Sequence, residues 1–281
     1  MKIKESSIGI IFCFLASFCW STNGVLVKSI DWSAMSLNSI GNFLGMIPMI
    51  IYMIATRHKF VVNKSVILGG SIIFITNLSN VYANKLTTAA NTVALQFTMP
   101  IFIIAAMWIF FHQKPKKLDV ITSIIVMGGI MLFVVDGLAV GNWLGNLIAL
   151  ICGIGCAGVY MQEVLPNNDS ISAFIFGKIL CFAAGIPSVI SENALSGKGY
   201  GALLIYGLVS CGIAFILLPI GLKYASPVSA SLLSSAEPLF TPLWMMMFYP
   251  SEKVTATAWA GFIIVMVSLI VYNAIKAKEQ G

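Results

Sequence analysis

Charge is scarce in this chain: only 9% of its 281 residues are charged, against about 25% in a soluble domain. Histidine is almost absent, with two in all, His58 in a loop and His112 at a predicted helix end. No paired acids, Ser–His arrangement or metal-ligand spacing accompanies them, so the sequence gives no support to an enzyme, a metal centre or a bound cofactor. No G-x-x-x-x-G-K-[ST] loop is present to hold ATP. Long hydrophilic stretches are missing too. The widest gaps, Thr56 to Ser65 and Pro166 to Ser170, are loop-sized and leave no room for a soluble domain. The six cysteines all fall inside apolar runs, where a disulfide framework is not expected. Cys152 and Cys156 share helical spacing, but a zinc site needs about four ligands, so they read as small packing residues. A cleavable signal peptide is not expected, because Met1 to Glu5 lead directly into a segment of full spanning length.

What remains is hydrocarbon. Hydrophobic residues make up 59% of the chain, and mean hydropathy is +0.95. A helix needs about 20 apolar residues to cross a bilayer. Ten stretches qualify as spans: Ile8–Val27, Met35–Ala55, Val66–Tyr82, Thr92–Phe111, Val120–Val135, Trp143–Tyr160, Ile171–Ile190, Gly201–Leu222, Val228–Tyr249 and Thr255–Ile275. The expected fold is all-α and integral to the plasma membrane, the cytoplasmic membrane of a bacterium.

Positive charge sets the orientation. With the N-terminus inside, cytoplasmic segments carry Lys2, Lys4, Arg57, Lys59, Lys64, Lys114, Lys116, Lys117, Lys223, Lys276 and Lys278. The outer side carries Lys28, Lys85, Lys198 and Lys253. This asymmetry follows the positive-inside rule and predicts that both termini are cytoplasmic. It also accounts for the net charge of +6 without a nucleic-acid partner. The basic tails meet anionic membrane lipids.

The chain repeats itself. Residues 85–102 realign without a gap on residues 223–240, pairing Lys85, Leu95, Pro100 and Phe102 with Lys223, Leu233, Pro238 and Phe240. Two repeats of five spans follow, residues 1–138 and 139–281. An odd number of spans forces the second copy to enter the membrane inverted, the architecture of many secondary transporters.

The run Ala225-Ser226-Pro227-Val228-Ser229-Ala230-Ser231-Leu232-Leu233-Ser234-Ser235-Ala236-Glu237-Pro238 resembles the signature of the EamA family of the drug/metabolite transporter superfamily, with a Ser/Pro-containing turn and then a Glu-Pro pair. Thr88 to Pro100 resembles the fourth helix of that fold, and Trp20-Ser21-Thr22-Asn23 its first. The resemblance implies a ten-helix transporter of amino acids, amines, drugs or other metabolites, often coupled to protons or working by exchange. One departure is His112-Gln113-Lys114, where the family usually closes its fourth helix with an acidic and a basic residue.

Polar residues in hydrocarbon are costly unless they face the bundle interior or a wet cavity, which selects the candidate substrate-binding residues. Ser234, Glu237, Thr241 and Trp244 form one stripe of the ninth span. Glu237 lies at mid-span, where a bare carboxylate costs at least about 2.5 kcal/mol on insertion scales. It reads as a proton-coupling group, a counter-ion for a cationic solute, or a structural acid serving backbone groups freed by Pro238. Asn77, Asn80 and Asn84 form a stripe on the third span, with Asn77 and Asn80 the better placed for a cavity. Gln96 and Met99 share a face of the fourth, and Trp20 is too deep for an interfacial residue. Lys178, about 10 Å into the seventh span at 1.5 Å per residue, reads as a snorkelling lysine, an anion-binding group or a partner for Glu237. Pro100 and Pro238 are candidate gating hinges. Convergence of Trp20, Trp244 and Tyr82 beside Glu237 would make an aromatic cage for a quaternary amine. The leading expectation is a secondary transporter of a small polar metabolite working by alternating access. An exporter of hydrophobic drugs or lipid-like solutes, and a non-transporting receptor or assembly protein, are the alternatives. Monomer and homodimer stay open.

Overall fold

A computed structural model describes residues 2–87, 89–138, 143–234, 236–248 and 256–280. Tyr249, Glu252, Lys253 and Thr255, which the sequence reading places around the last two spans, lie outside the described residues. The described residues are helical, with no strand among them. The helices are α1 (Lys2–Ser21), α2 (Asn23–Lys28), α3 (Ala34–Thr56), α4 (Lys64–Leu86), α5 (Ala89–Gln96), α6 (Met99–Phe111), α7 (Lys117–Leu138), α8 (Trp143–Tyr160), α9 (Ser170–Val189), α10 (Gly197–Ile205), α11 (Ala214–Leu222), α12 (Pro227–Leu233), α13 (Ala236–Phe248) and α14 (Ala256–Gln280). Between α10 and α11 the chain runs without interruption through a π-helix, Tyr206–Ile213.

These helices occupy the described part of all ten expected stretches. Seven are long and apolar enough to cross a membrane: Ile8–Lys28, Ala34–Thr56, Lys64–Leu86, Asn91–Phe111, Trp143–Tyr160, Ser170–Val189 and Gly197–Leu222. Their outer faces are clad in residues such as Ile54, Trp108, Phe110 and Trp143, as lipid contact requires.

Three expected spans are not single straight helices. The first breaks at Thr22, between α1 and α2. The fourth breaks after Gln96, and α6 opens with Pro100 in its first turn. The ninth breaks at Ser234, just before Pro238. Proline lacks the N–H that would continue the hydrogen-bond ladder. For Pro238 the carbonyl left behind is that of Ser234, which accepts instead from the Ser17 hydroxyl at 2.7 Å and the Glu237 N–H at 2.9 Å. The two proline breaks stand at matching positions of the sequence repeat.

Packing between the halves follows a rule. When each of the first five helical stretches is exchanged with the one five places later, the contacts reproduce themselves. α3 packs on the π-helix as α9 packs on α4. α1 packs on α11 as α8 packs on α4, and α1 on α12 and α13 as α8 on α5 and α6. α3 against α9 and α7 against α14 are their own counterparts. Small residues permit the closest approaches, as usual between membrane helices: a methyl group at Gly45 would lie 2.5 Å from the Cys211 carbonyl oxygen, and one at Gly177 2.6 Å from that of Gly70.

Loops tie the bundle at both ends. At one end Trp32 Nε1 donates to the Asn193 carbonyl at 2.8 Å, and the Ser33 N–H to Glu192 Oε1 at 2.9 Å. Lys85 Nζ donates to the Ile30 carbonyl at 2.7 Å. At the other end of α3, His58 Nε2 lies 2.7 Å from Asp169 Oδ2. There the Val61 N–H donates to Ser172 Oγ at 3.0 Å, and Ser65 Oγ to the Pro166 carbonyl at 2.7 Å. The same exchange of halves carries one set of loops onto the other.

Candidate functional site

The helix breaks and the π-helix surround a cavity between the halves. Its walls come from α1, α2, α4, α5, α6, α8, α11, α13 and the π-helix, and its volume is ≈ 50 Å³. At roughly 10–15 Å³ for each water, it holds a few waters and little more.

Six of the residues selected from sequence line it: Trp20, Asn77, Asn80, Gln96, Met99 and Glu237. Glu237 is buried, at 4% exposure. Its carboxylate accepts one long hydrogen bond, from Gln96 Nε2 at 3.5 Å. Gln96 Oε1 accepts from Asn80 Nδ2 at 2.9 Å, and Asn84 Nδ2 donates back to the Asn80 carbonyl at 3.0 Å. Asn80 and Gln96 thus form an amide relay ending on the acid, with Asn84 as its rear support. Asn77 Nδ2 donates to Asn42 Oδ1 at 2.9 Å. Trp20 donates through Nε1 to the Ser210 carbonyl at 3.1 Å and meets Phe215 edge to face at 5.3 Å.

Four selected residues are elsewhere. Ser234 accepts a hydrogen bond from Tyr160 and donates to the Ala230 carbonyl at 3.0 Å, bracing the break in the ninth span. Thr241 donates to the Ser21 and Glu237 carbonyls, and Trp244 Nε1 to Ser21 Oγ at 2.9 Å. Both fasten α13 to α1. Lys178 stands behind the wall, with no exposure at all. Its Nζ donates to Asn42 Oδ1 at 3.1 Å and sits 4.0 Å from the centre of the Phe215 ring. It does not pair with Glu237, so one of the readings offered for it falls. The cage of Trp20, Trp244 and Tyr82 does not form either, since only Trp20 reaches the cavity. Of the two prolines, Pro100 and Pro238 are both at the helix breaks beside it.

Sequence reasoning missed much of the wall. Tyr160, Tyr206 and Phe215 supply the aromatic surface, Ser210 and Cys211 come from the π-helix, and Cys152 and Cys156 from α8. The helical spacing of the two α8 cysteines was the available signal. They are buried as expected, and they also face the cavity. Asn23 lines it with a side-chain oxygen that is buried without a hydrogen-bond partner.

A bundle of apolar helices around a largely apolar cavity that carries one carboxyl and several amides, with walls from both halves, fits a membrane transport protein. The chain belongs to the EamA-like transporter family, whose model matches residues 7–135 and again residues 143–274. It is 26% identical over 290 residues to the uncharacterized transporter YwfM of Bacillus subtilis (strain 168), covering 98% of this chain and 97% of that one. It is 24% identical over 200 residues to the uncharacterized transporter YrdR of the same organism, covering 65% of this chain and 61% of that one. A protein of known crystal structure shares the fold, with a TM-score of 0.78 at 16% identity over 97% of this chain and 98% of the other. The protein is an integral membrane transporter of the plasma membrane.

Proposed function

We propose that the protein is a secondary active transporter that moves a small amine-bearing metabolite, an amino acid or amine, by alternating access in exchange for protons. The observation that carries this reading is Glu237, a buried carboxyl on the wall of a cavity between two repeats, with one amide at 3.5 Å as its hydrogen-bond donor. A charge in hydrocarbon is retained for a purpose. The carboxylate takes either a proton or the ammonium group of the solute. Competition for one group couples the two movements, because neither ligand binds while the other occupies it. The unpartnered oxygen of Asn23 adds a second acceptor for the ammonium.

In this reading residues 1–138 and 139–281 are two inverted five-helix repeats, ten spans in all, with both termini cytoplasmic. The packing that reproduces itself on exchange of the halves supports it. Both sets of end loops are closed and the cavity is small, so binding a metabolite requires the walls to part. The broken spans at Pro100 and Pro238 are the hinges, since freed backbone groups beside a cavity can be satisfied in more than one arrangement.

The test is counterflow in proteoliposomes. Vesicles preloaded with one solute of an amino-acid and amine panel should transiently accumulate its labelled form. Accumulation of an apolar drug with no amine or amino acid transported would replace this reading with drug export.

A further inference from the structure

Deep in the bundle, where α3, α4, α9 and the π-helix meet behind the cavity, lies a cluster rich in hydrogen-bond donors and poor in acceptors. The Lys178 ammonium has three N–H groups, of which Asn42 Oδ1 takes one. The same oxygen already serves Asn77 Nδ2. Both N–H groups of Asn42 are spent on Asn38, one on its carbonyl at 2.8 Å and one on Oδ1 at 3.0 Å. Asn38 Nδ2, on a residue with no exposure, has no oxygen acceptor and faces only the weakly accepting thiol of Cys181. Among the described residues no carboxylate stands near the lysine; its other neighbours are the Phe215 ring and the thiols of Cys181 and Cys211. Asn38 and Asn77 converge on the same Cys181.

A buried ammonium without a counter-ion is expensive, and a donor left without an acceptor adds to the cost. Both deficits are removed by one group, a monoanion able to accept more than one hydrogen bond. The route to it is short. Phe215 lines the cavity and covers the ammonium with its face, and Asn77 and Cys211 line the cavity while also lying beside the lysine cluster. A turn of one ring therefore joins the cluster to the cavity.

We propose that Lys178 and Asn38 form a monoanion-binding subsite, gated by Phe215, that takes the carboxylate of a transported solute or a free monoanion. Glu237 and Asn23 gather acceptors on the cavity wall, and Lys178 and Asn38 gather donors behind it. The site as a whole then selects zwitterions over simple amines. The subsite rests on the transport reading above, since it is reached only through that cavity.

The test is thermal melting of the purified full-length protein in detergent, at fixed pH and ionic strength, in a sulfate background. Methylammonium, acetate, chloride and glycine are titrated separately. Ligands that bind the folded state raise the melting temperature; acetate and glycine should each add roughly 2–4 °C. Lys178→Gln should abolish the acetate shift and reduce the glycine shift to that of methylammonium, whose own shift depends on Glu237 and is unchanged. Should Lys178→Gln fail to fold, Phe215→Ala keeps the lysine and should lower the acetate concentration needed for half the shift. A chloride shift equal to that of acetate, and equally dependent on Lys178, identifies a free monoanion as the ligand. A shift by acetate and glycine but not chloride identifies the solute's carboxylate. Acetate and glycine shifts that survive Lys178→Gln overturn the subsite while a Glu237-dependent methylammonium shift leaves the transport reading standing. No shift with any probe overturns both.

Discussion

A single carbonyl shows how proline and serine divide a task across the repeat. Pro238 removes the donor that the Ser234 carbonyl would meet in a continuous helix, and Ser17 of α1 supplies another. Ser17→Ala should destabilise the protein by about 0.5–1.5 kcal/mol, the net worth of such a bond. Pro238→Ala restores a backbone donor within reach of that carbonyl. The cost of Ser17→Ala should therefore be smaller in the Pro238→Ala background, and a double-mutant cycle on melting curves measures the coupling. At this scale the sequence is informative wherever polarity meets apolar surroundings. Glu237, Gln96 and the asparagines of α4 stand out because hydrocarbon tolerates few such residues, and spacing places them on shared faces. Thr241 and Trp244 share the Glu237 stripe yet bind α1, because a stripe about 100° wide can face both a cavity and a neighbouring helix. Tyr160, Tyr206 and Phe215 carry no such mark; aromatic residues pack everywhere in a membrane bundle, and only tertiary geometry separates lining from packing.

At the scale of helices, the places of the seven apolar spans among the described residues follow from length and hydropathy, but the interruptions follow only in part. Pro100 and Pro238 announce two breaks. The break at Thr22 and the π-helix at Tyr206–Ile213 carry no proline, so no residue in the sequence announces them. A π-helix adds a residue to the turn and is rare outside functional sites; here it turns Tyr206, Ser210 and Cys211 toward the cavity. Its fit against α3 depends on Gly45, whose Cβ would meet backbone rather than a side chain that can yield. Gly45→Leu should cost at least about 1–3 kcal/mol, as overpacked interiors do, and should lower the yield of folded protein in size-exclusion chromatography. Gly128, where a Cβ meets nothing within 4 Å, should accept alanine without loss and serves as the control.

For the molecule as a whole, the two sets of end loops are equivalent contacts at the two ends of the bundle, and the proposed alternating access requires each to release in turn. They differ in chemistry, one joined through His58 and Asp169 and the other through Glu192. Partial burial opposes ionisation of Glu192, but hydrogen bonds from Ser33 and Ser36 and the charge of Lys85 outweigh it and hold its carboxyl below the usual range. A depressed carboxyl stabilises its contact above its ordinary pKa and loses that contribution as pH falls through the lowered value. Acidification on that face into the range below about pH 4 should loosen the loop, seen as faster proteolysis at residues 190–196, and Glu192→Gln should show the same rate at neutral pH. The sequence repeat is legible at this scale because Lys85 to Phe102 and Lys223 to Phe240 align directly. The pairing of the loops is not, because those segments diverge and share only their position in the packing.

The central claim is that one carboxyl carries both proton and solute. It is tested most directly by imposing a pH gradient on proteoliposomes and following a labelled solute that shows counterflow. The wild-type protein should drive the solute uphill in exchange for protons. Glu237→Gln should remove that drive and weaken solute binding roughly 10- to 150-fold, the equivalent of about 1.5–3 kcal/mol for a hydrogen bond to a charged group. Solute movement indifferent to the gradient in the wild-type protein, or a drive that persists in Glu237→Gln, would contradict it.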